Sequence, residues 1–384
     1  MQTKKSLLTC ISCVVYSFWL LIAISNPAGS TEPQNTVRVE LFSTRRIQHI
    51  CVSSQAKINE LNTYIKNGSC IKPDHKHLKL SDNTTSLTNS LPADITLAHE
   101  TQGKLCITVN NSQRCYTGTI EIKNNNKSLT IFNNTPIEDY ILSVTGSELP
   151  PGWPEEAVKA QAIAIHTYLK YLQNKRLNIK DSTQNQSYRG IDGINPAYTK
   201  AVKTVQNIII IDSQGQPIEA LYHSTCGGKT LNNEDVFRGE PVSYLREVIC
   251  PYDKDSNFYM AKYFSIKKDR LIEIAGHPDI EFVRKKNHDI QAIRAGNRLF
   301  SAYQFWLKLG KNLGWGAVPG VKYKINCHKN NCEIISRGAG HATGLCQWGA
   351  RGMAEKGFHY EDILKYYYSN IRLHNNNNEY YSTK

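Results

Sequence analysis

The sequence predicts a mixed α+β fold, with a large domain of interleaved helices and strands and a smaller β-rich region ahead of it. Three observations predict this. Short alternating segments bounded by Asn-rich turns crowd the first third of the chain, at residues 37–42 (V-R-V-E-L-F), 104–109, 116–123 and 128–132. An apolar stripe at helical spacing then runs through Val158, Ala162, Ile165, Leu169 and Leu172. Beyond it, strand and helix patterns alternate to the end of the chain. The predicted layout is an N-terminal export segment over 1–30, a variable β-rich region over 31–103, the main domain over 104–373 and a disordered tail over 374–384.

The chain has 384 residues and a formal net charge of +13. Its Lys and Arg residues are scattered, with no basic run and no zinc-finger spacing, so no nucleic-acid partner is expected. A cationic surface suits an anionic polymer or a membrane face. Lys4 and Lys5 precede an apolar run over 7–24, Asn26-Pro27 breaks it, and Ala28-Gly29-Ser30 offers a small-x-small cleavage site. This is the layout of a secretory signal, with an uncleaved membrane anchor as the alternative. Cys10 and Cys13 lie inside the apolar run, which argues against lipidation.

The chain carries eleven cysteines, many for a reducing compartment. Cys51 with Cys70, Cys106 with Cys115, and Cys327 with Cys332 form close pairs, the last two flanking short polar turns. Cys226, Cys250 and Cys346 remain. Zinc ligation by these thiols with His223 matches no known finger or ribbon spacing. A disulfide joining two of them, Cys226 with Cys250 or with Cys346, is the expectation. No metal and no cofactor is expected.

Taken in order, residues 74–94 are polar and predict loops. Thr135-Pro136-Ile137-Glu138 predicts a helix start, with Thr135 as N-cap, Pro136 first and Glu138 closing a capping box. That helix is expected to end near Gly146, leaving Glu148 in a rigid Pro/Gly/Trp turn. A second helix begins at Pro154, with Glu155 and Glu156 at the positive end of its dipole. A helix near 196–206, a buried strand at Ile208–Ile211 and a strand over 219–223 follow. That last strand runs into the turn H-S-T-C-G-G, 223–228, whose glycines permit close backbone approach. Further α/β structure is expected over 261–325, with a helix near 302–309. The glycine-rich stretch 336–357 interleaves Arg337, His341, Gln347 and Trp348; a helix over 347–356 should stop at Gly357 as a C′ glycine. A last helix is expected over 360–368.

Three clusters stand out: Glu148 with its Pro/Trp turn, the 223–228 turn, and the 338–349 loop. Together they resemble the SpoIID/LytB family of stage II sporulation protein D and the amidase enhancers. The resemblance covers roughly residues 114–373. It rests on Y-T-G-T-I-E-I (116–122), P-I-E-D-Y-I (136–141), E-L-P with W-P-E-E-A-V-K-A-Q-A (148–162), Y-H-S-T-C-G-G (222–228), P-Y-D (251–253) and G-H-A-T-G-L-C-Q-W-G-A-R-G-M-A (340–354). It implies a SpoIID-like catalytic domain in an exported protein, periplasmic or facing the cell wall, or anchored in the inner membrane. The partner implied is the peptidoglycan glycan strand, cleaved by a lytic transglycosylase; the alternative is a non-catalytic activator of a cell-wall amidase, or a wall-binding module.

Glu148 matches the family's catalytic glutamate. One carboxyl group suffices where no water attacks, provided that burial keeps it partly protonated. Substrate contacts are expected from His166, Gln186, Tyr188, His223, Ser224, His341 and Gln347, with Trp153 and Trp348 either stacking on sugars or packing in the core. Two departures bear on activity. Many relatives carry arginine where His166 stands, and His166 supplies a positive charge only when protonated. The zinc ligands that some relatives carry before the Q-x-Y-x-G segment are absent from K-D-S-T-Q-N-Q-S-Y. The glycine loop also has Ala342 and Cys346 where many relatives have glycine and serine.

Overall fold

The computed structural model describes residues 36–81, 89–99, 103–182 and 185–375. The export segment 1–30 and residues 376–384 of the expected tail lie outside them. Among the described residues no helix is long and apolar enough to cross a membrane.

Strands from the N-terminal third build two sheets. The larger orders Ile179–Lys180, Thr36–Leu41, Leu129–Pro136, Thr119–Asn124, Asp94–Ala98, Ala56–Ile58 and Thr63–Ile65. Its central pairs are antiparallel, with Val39 opposite Asn133 and Ile122 opposite Ile131. The alternation of V-R-V-E-L-F is visible there: Val37, Val39 and Leu41 are buried and Arg38 is exposed. The second sheet orders Ser112–Tyr116, Leu105–Val109, Ile50–Val52, Cys70–Asp74, His77–Ser81 and Asn89–Leu91. Residues 74–94 are therefore not simply loops: they contribute strand residues at Asp74, 77–81 and 89–91 and open the Asp94–Ala98 strand, while 82–88 lie outside the described residues. Only one side of these strands is covered, so their sequence reads as polar; in His77–Ser81 a single residue, Leu78, is fully buried.

Cys51–Cys70, Cys106–Cys115 and Cys327–Cys332 are disulfides. They close loops of 19, 9 and 5 residues in sequence separation. Chain entropy makes the first worth the most, about 3 kcal/mol against about 2 for the last. Replacing both cysteines of the first pair by alanine is expected to lower the denaturation midpoint more than the same change at Cys327 and Cys332, as read by urea titration. Cys226, Cys250 and Cys346 are free, so the expected disulfide between two of them does not form.

Helix α1, Ile137–Glu148, leaves the large sheet directly. Its N-cap is Pro136, with no side-chain cap. Thr135 is not the predicted cap because its hydroxyl is already paired with that of Thr117, 2.8 Å away. The helix also runs through Gly146 rather than stopping there, so Glu148 is its last residue and not part of the following turn.

Helix α2, Glu155–Asn174, is the centre of the molecule. Its predicted stripe is buried, but so are Ala160, Gln161, Ile163, Ala164, His166 and Thr167. A helix buried on almost every side is a core element rather than a surface amphipath. It packs against α1, helix α3 (Thr199–Val205), the Ile208–Ile211 strand, and the helices Gln347–Ala354 and Tyr360–Tyr367. The Thr167 hydroxyl accepts the Ile210 N–H at 2.9 Å, tying that strand to α2. Ile208–Ile211 pairs with Arg372–Asn375, so His374 and Asn375 belong to a strand rather than to a disordered tail.

Residues 262–337 add two three-stranded sheets and the helix Ala302–Leu313, around a separate apolar cluster with Phe305, Trp306, Tyr323 and Ile334 at its centre. Ser301 caps that helix in a complete capping box with Gln304.

Candidate active site

The two glycine turns meet through a short parallel pairing. Tyr222–His223 lies beside Leu345–Cys346, with Tyr222 opposite Leu345 and His223 opposite Cys346. Close approach depends on missing side chains. A Cβ on Gly344 would lie 2.1 Å from the Leu221 carbonyl oxygen, and one on Gly340 would lie 2.9 Å from the His223 Cβ. Ala342 holds a left-handed φ of 59° with its methyl buried, the position where many relatives are expected to carry glycine.

Glu148 closes α1 against this seam. Its carboxylate Oε1 accepts the Ser187 backbone N–H at 2.9 Å. Burial pushes its proton affinity above the ordinary carboxylate value of 4.5. The opposing influences are weaker: the Ser187 N–H, the Tyr222 hydroxyl, the Gln347 amide and the positive charge of Arg189. No second carboxylate is among these groups. The Tyr222 hydroxyl and Gln347 Nε2 are buried and have no geometric hydrogen-bond partner in the protein. Two polar groups thus bear on one carboxyl with hydrogen-bonding capacity to spare.

Gln186 and Tyr188, expected to contact substrate, are both buried and hydrogen-bonded within the protein. Gln186 accepts from the Tyr140 hydroxyl at 2.8 Å and donates to the Ile165 carbonyl at 3.3 Å. Tyr188 stacks on Tyr140 and donates to Asn133 Oδ1 at 2.6 Å. With both neighbours pinned, the Ser187 N–H between them is held toward Glu148.

His166, expected to contact substrate, is buried as well. Its ring is buried against the backbone of Ile208 and Gln206, and desolvation lowers its pKa to about 4. It is neutral near pH 7 and supplies no positive charge. Arg189 supplies charge near Glu148 instead. The sequence singles out neither Arg189 nor Tyr222: Tyr222 opens the Y-H-S-T-C-G-G block, and Arg189 fills an unspecified position of Q-x-Y-x-G.

The two remaining histidines serve the seam. Thr343 N–H donates to His341 Nδ1 at 3.2 Å, so Nε2 carries the proton and donates to the Tyr222 carbonyl at 2.8 Å. Burial holds His341 down at about pKa 4. His223 Nδ1 donates to the Thr343 carbonyl at 3.1 Å, leaving Nε2 as a buried acceptor with no protein partner. Ser224 is half-buried, and its carbonyl accepts the Trp348 N–H at 3.1 Å at the start of the Gln347–Ala354 helix. Trp153 and Trp348 pack edge to face at 5.5 Å, with Arg351 over both rings. Trp153 is buried and Trp348 half-buried.

The architecture defines a class: a mixed α+β domain whose first long helix ends on a carboxyl group with a pKa raised by burial. Comparison with known proteins gives the family. The SpoIID family model, stage II sporulation protein, matches residues 125–211. An uncharacterized protein of Brachyspira hyodysenteriae is 31% identical over 276 residues, covering 67% of this chain and 72% of that protein. Stage II sporulation protein D of Bacillus amyloliquefaciens is 27% identical over 264 residues, covering 62% and 74%. An amidase enhancer of Bacillus subtilis is 23% identical over 283 residues, covering 60% of this chain and 39% of its own length. The chain belongs to the SpoIID/LytB family.

Proposed function

We propose that the protein is an exported lytic transglycosylase that cleaves the bond between N-acetylmuramic acid and N-acetylglucosamine in glycan strands, with Glu148 as its proton shuttle. The observation that carries this reading is the Glu148 carboxyl group, whose pKa burial raises, with no carboxylate among the groups that bear most on it. Hydrolases of this bond type normally need two carboxyl groups, one for the leaving oxygen and one for water or the anomeric carbon. An intramolecular attack needs one. Glu148 donates its proton to the glycosidic oxygen as the bond to the anomeric carbon breaks. The muramoyl 6-hydroxyl then closes on that carbon and returns its proton to Glu148, giving a 1,6-anhydro sugar with no water consumed.

Each neighbour has a part in this scheme. Ser187 N–H occupies Oε1, which leaves Oε2 to carry the proton. The Tyr222 hydroxyl and Gln347 amide stabilise the carboxylate formed after the first transfer. Three disulfides suit the oxidising space in which glycan strands lie.

The test is product identity. Purified protein is incubated with glycan strands stripped of stem peptides, and the ends are read by mass spectrometry. Anhydro-muramoyl ends are expected. Ordinary reducing ends would sink the mechanism. Intact glycan together with stimulation of a cell-wall amidase would transfer the reading to the activator class.

A pH prediction follows from Arg189. Its charge lowers the Glu148 pKa, and the acid must be protonated to act. Activity therefore falls as pH rises through that pKa. Arg189→Gln is expected to move this alkaline limb to higher pH. The shift is modest because Arg189 is exposed and its field is screened. A limb that moves to lower pH, measured as initial rate from pH 4 to 9, would remove Arg189 from the scheme.

A further inference from the structure

A second buried cluster lies behind the seam and takes no part in the scheme above. Cys226, Cys250, Cys346 and Asp253 come from the 223–228 turn, the 244–253 stretch and the Leu345–Cys346 strand. All four are 0% exposed. Their three sulfurs and one carboxylate oxygen lie within 4.8 Å of one another. Asp253 Oδ2 is 3.2 Å from Cys226 Sγ and 3.8 Å from Cys346 Sγ. Tetrahedral zinc, with bonds of about 2.3 Å to sulfur and about 2.0 Å to oxygen, sets sulfur–oxygen separations of about 3.5 Å. The two measured sulfur–oxygen separations bracket this value, and the four atoms span at most 4.8 Å.

The groups around the cluster are those that deprotonated ligands require. Cys346 Sγ accepts the backbone N–H of Cys226 at 3.3 Å and of Gly349 at 3.4 Å. Cys250 Sγ is 3.1 Å from the Tyr367 hydroxyl. The Asp253 carboxylate accepts from Gly227 N–H at 2.6 Å and Gly228 N–H at 3.2 Å. Such outer contacts orient metal ligands and stabilise their charge. Three buried thiols and a buried carboxyl have little reason to converge otherwise, since a thiol is a weak donor and a weak acceptor. The other six cysteines of the described residues are joined in pairs, whereas these three are not.

We propose that Cys226, Cys250, Cys346 and Asp253 bind one zinc ion as a closed structural site. Thiolates select zinc over magnesium or calcium, and four protein ligands leave no open position for a reacting water. The ion ties the 226–228 turn, the 250–253 stretch and the start of the Gln347–Ala354 helix to one point. Gln347 follows Cys346 directly, so the site fixes one of the groups that bear on Glu148. The proposal stands whether or not the protein cleaves glycan.

The full chain is produced through export, purified without chelator, and assayed for zinc by mass spectrometry and for thiols under denaturation. The expected result is about one zinc per chain and three thiols, beyond Cys10 and Cys13 where the leader is retained. No zinc with a single thiol means a disulfide and overturns the proposal. Three thiols that take up no zinc on dialysis overturn it as well. Asp253→Asn is expected to weaken zinc binding at least about tenfold. Should that variant misfold, the wild type is stripped with chelator: its Tm must fall, and stoichiometric zinc must restore it. Replacement by cobalt must then give thiolate-to-metal charge-transfer absorption, whose absence also overturns the assignment.

Discussion

Glu148→Gln is expected to abolish glycan cleavage and, at neutral pH, to stabilise the fold. The activity loss follows from the proposed scheme. Glutamine can neither give a proton to the leaving oxygen nor take one from the 6-hydroxyl. General acid–base catalysis by one group is worth about 10²–10⁴-fold. Because the same group serves both half-steps, the loss should reach the upper end of that range. The stability gain follows from the raised pKa. The fold prefers the protonated acid, so its contribution is full below the unfolded value near 4.5 and is lost as pH rises through the folded value. Above that point an ionised carboxylate is held where burial strips it of water. Glutamine removes the charge and keeps a carbonyl oxygen for the Ser187 N–H. The Tm difference between variant and wild type should therefore be near zero at about pH 4 and widen toward neutrality. A variant that is less stable at pH 7 and equal at pH 4 would mean that Glu148 is stabilised as an anion, and the acid role would fall with it.

The sequence carried the ingredients of this site but not their division of labour. Six motif blocks mark the segments that converge, because glycines at turns and an acid at a helix–turn junction leave local signatures. What each side chain does depends on neighbours far along the chain. Gln186 and Tyr188 look like groove residues, yet Tyr140 and Asn133, 46 and 55 residues earlier, absorb their polar groups. His166 looks like a substitute cation until the backbone at 206–208 closes over it. Thr135 has the pattern of an N-cap, but its hydroxyl is paired across the sheet with Thr117. The strands within 70–98 were hidden for a different reason. They are covered on one side only, so their outward residues read as loop composition. The three unpaired cysteines show the limit most plainly: spacing along the chain says nothing of four ligand atoms that meet only in three dimensions.

Gly146→Ala is the second large effect expected, and it tests how Glu148 is held rather than what it does. By intrinsic propensity this change should help, since alanine is favoured over glycine inside a helix by about 1 kcal/mol. Packing opposes it. A Cβ at Gly146 would lie 2.2 Å from the Gly193 carbonyl oxygen and 2.7 Å from Asn195 N, both backbone atoms that cannot rotate away. Gly193 mirrors the constraint: its Cβ would lie 2.4 Å from Ser147 Oγ and 2.6 Å from Ser143 Oγ. The two glycines let the end of α1 press against the 190–195 turn, which follows directly from Ser187 and Arg189. Overpacking at such a point costs about 1–3 kcal/mol, which exceeds the propensity gain. Net destabilisation is therefore expected, seen as a fall of a few degrees in Tm. The activity loss should be larger than stability explains, because displacing a reacting group by about 1 Å can cost about 10²-fold. Gly193→Ala should act similarly, and the double variant should cost less than the sum, since both substitutions force the same separation. Gly316→Ala provides the control: its Cβ meets nothing within 4 Å, and it should leave both measurements unchanged. If Gly146→Ala melts and cleaves as the wild type does, the glycine contact does not set the position of Glu148.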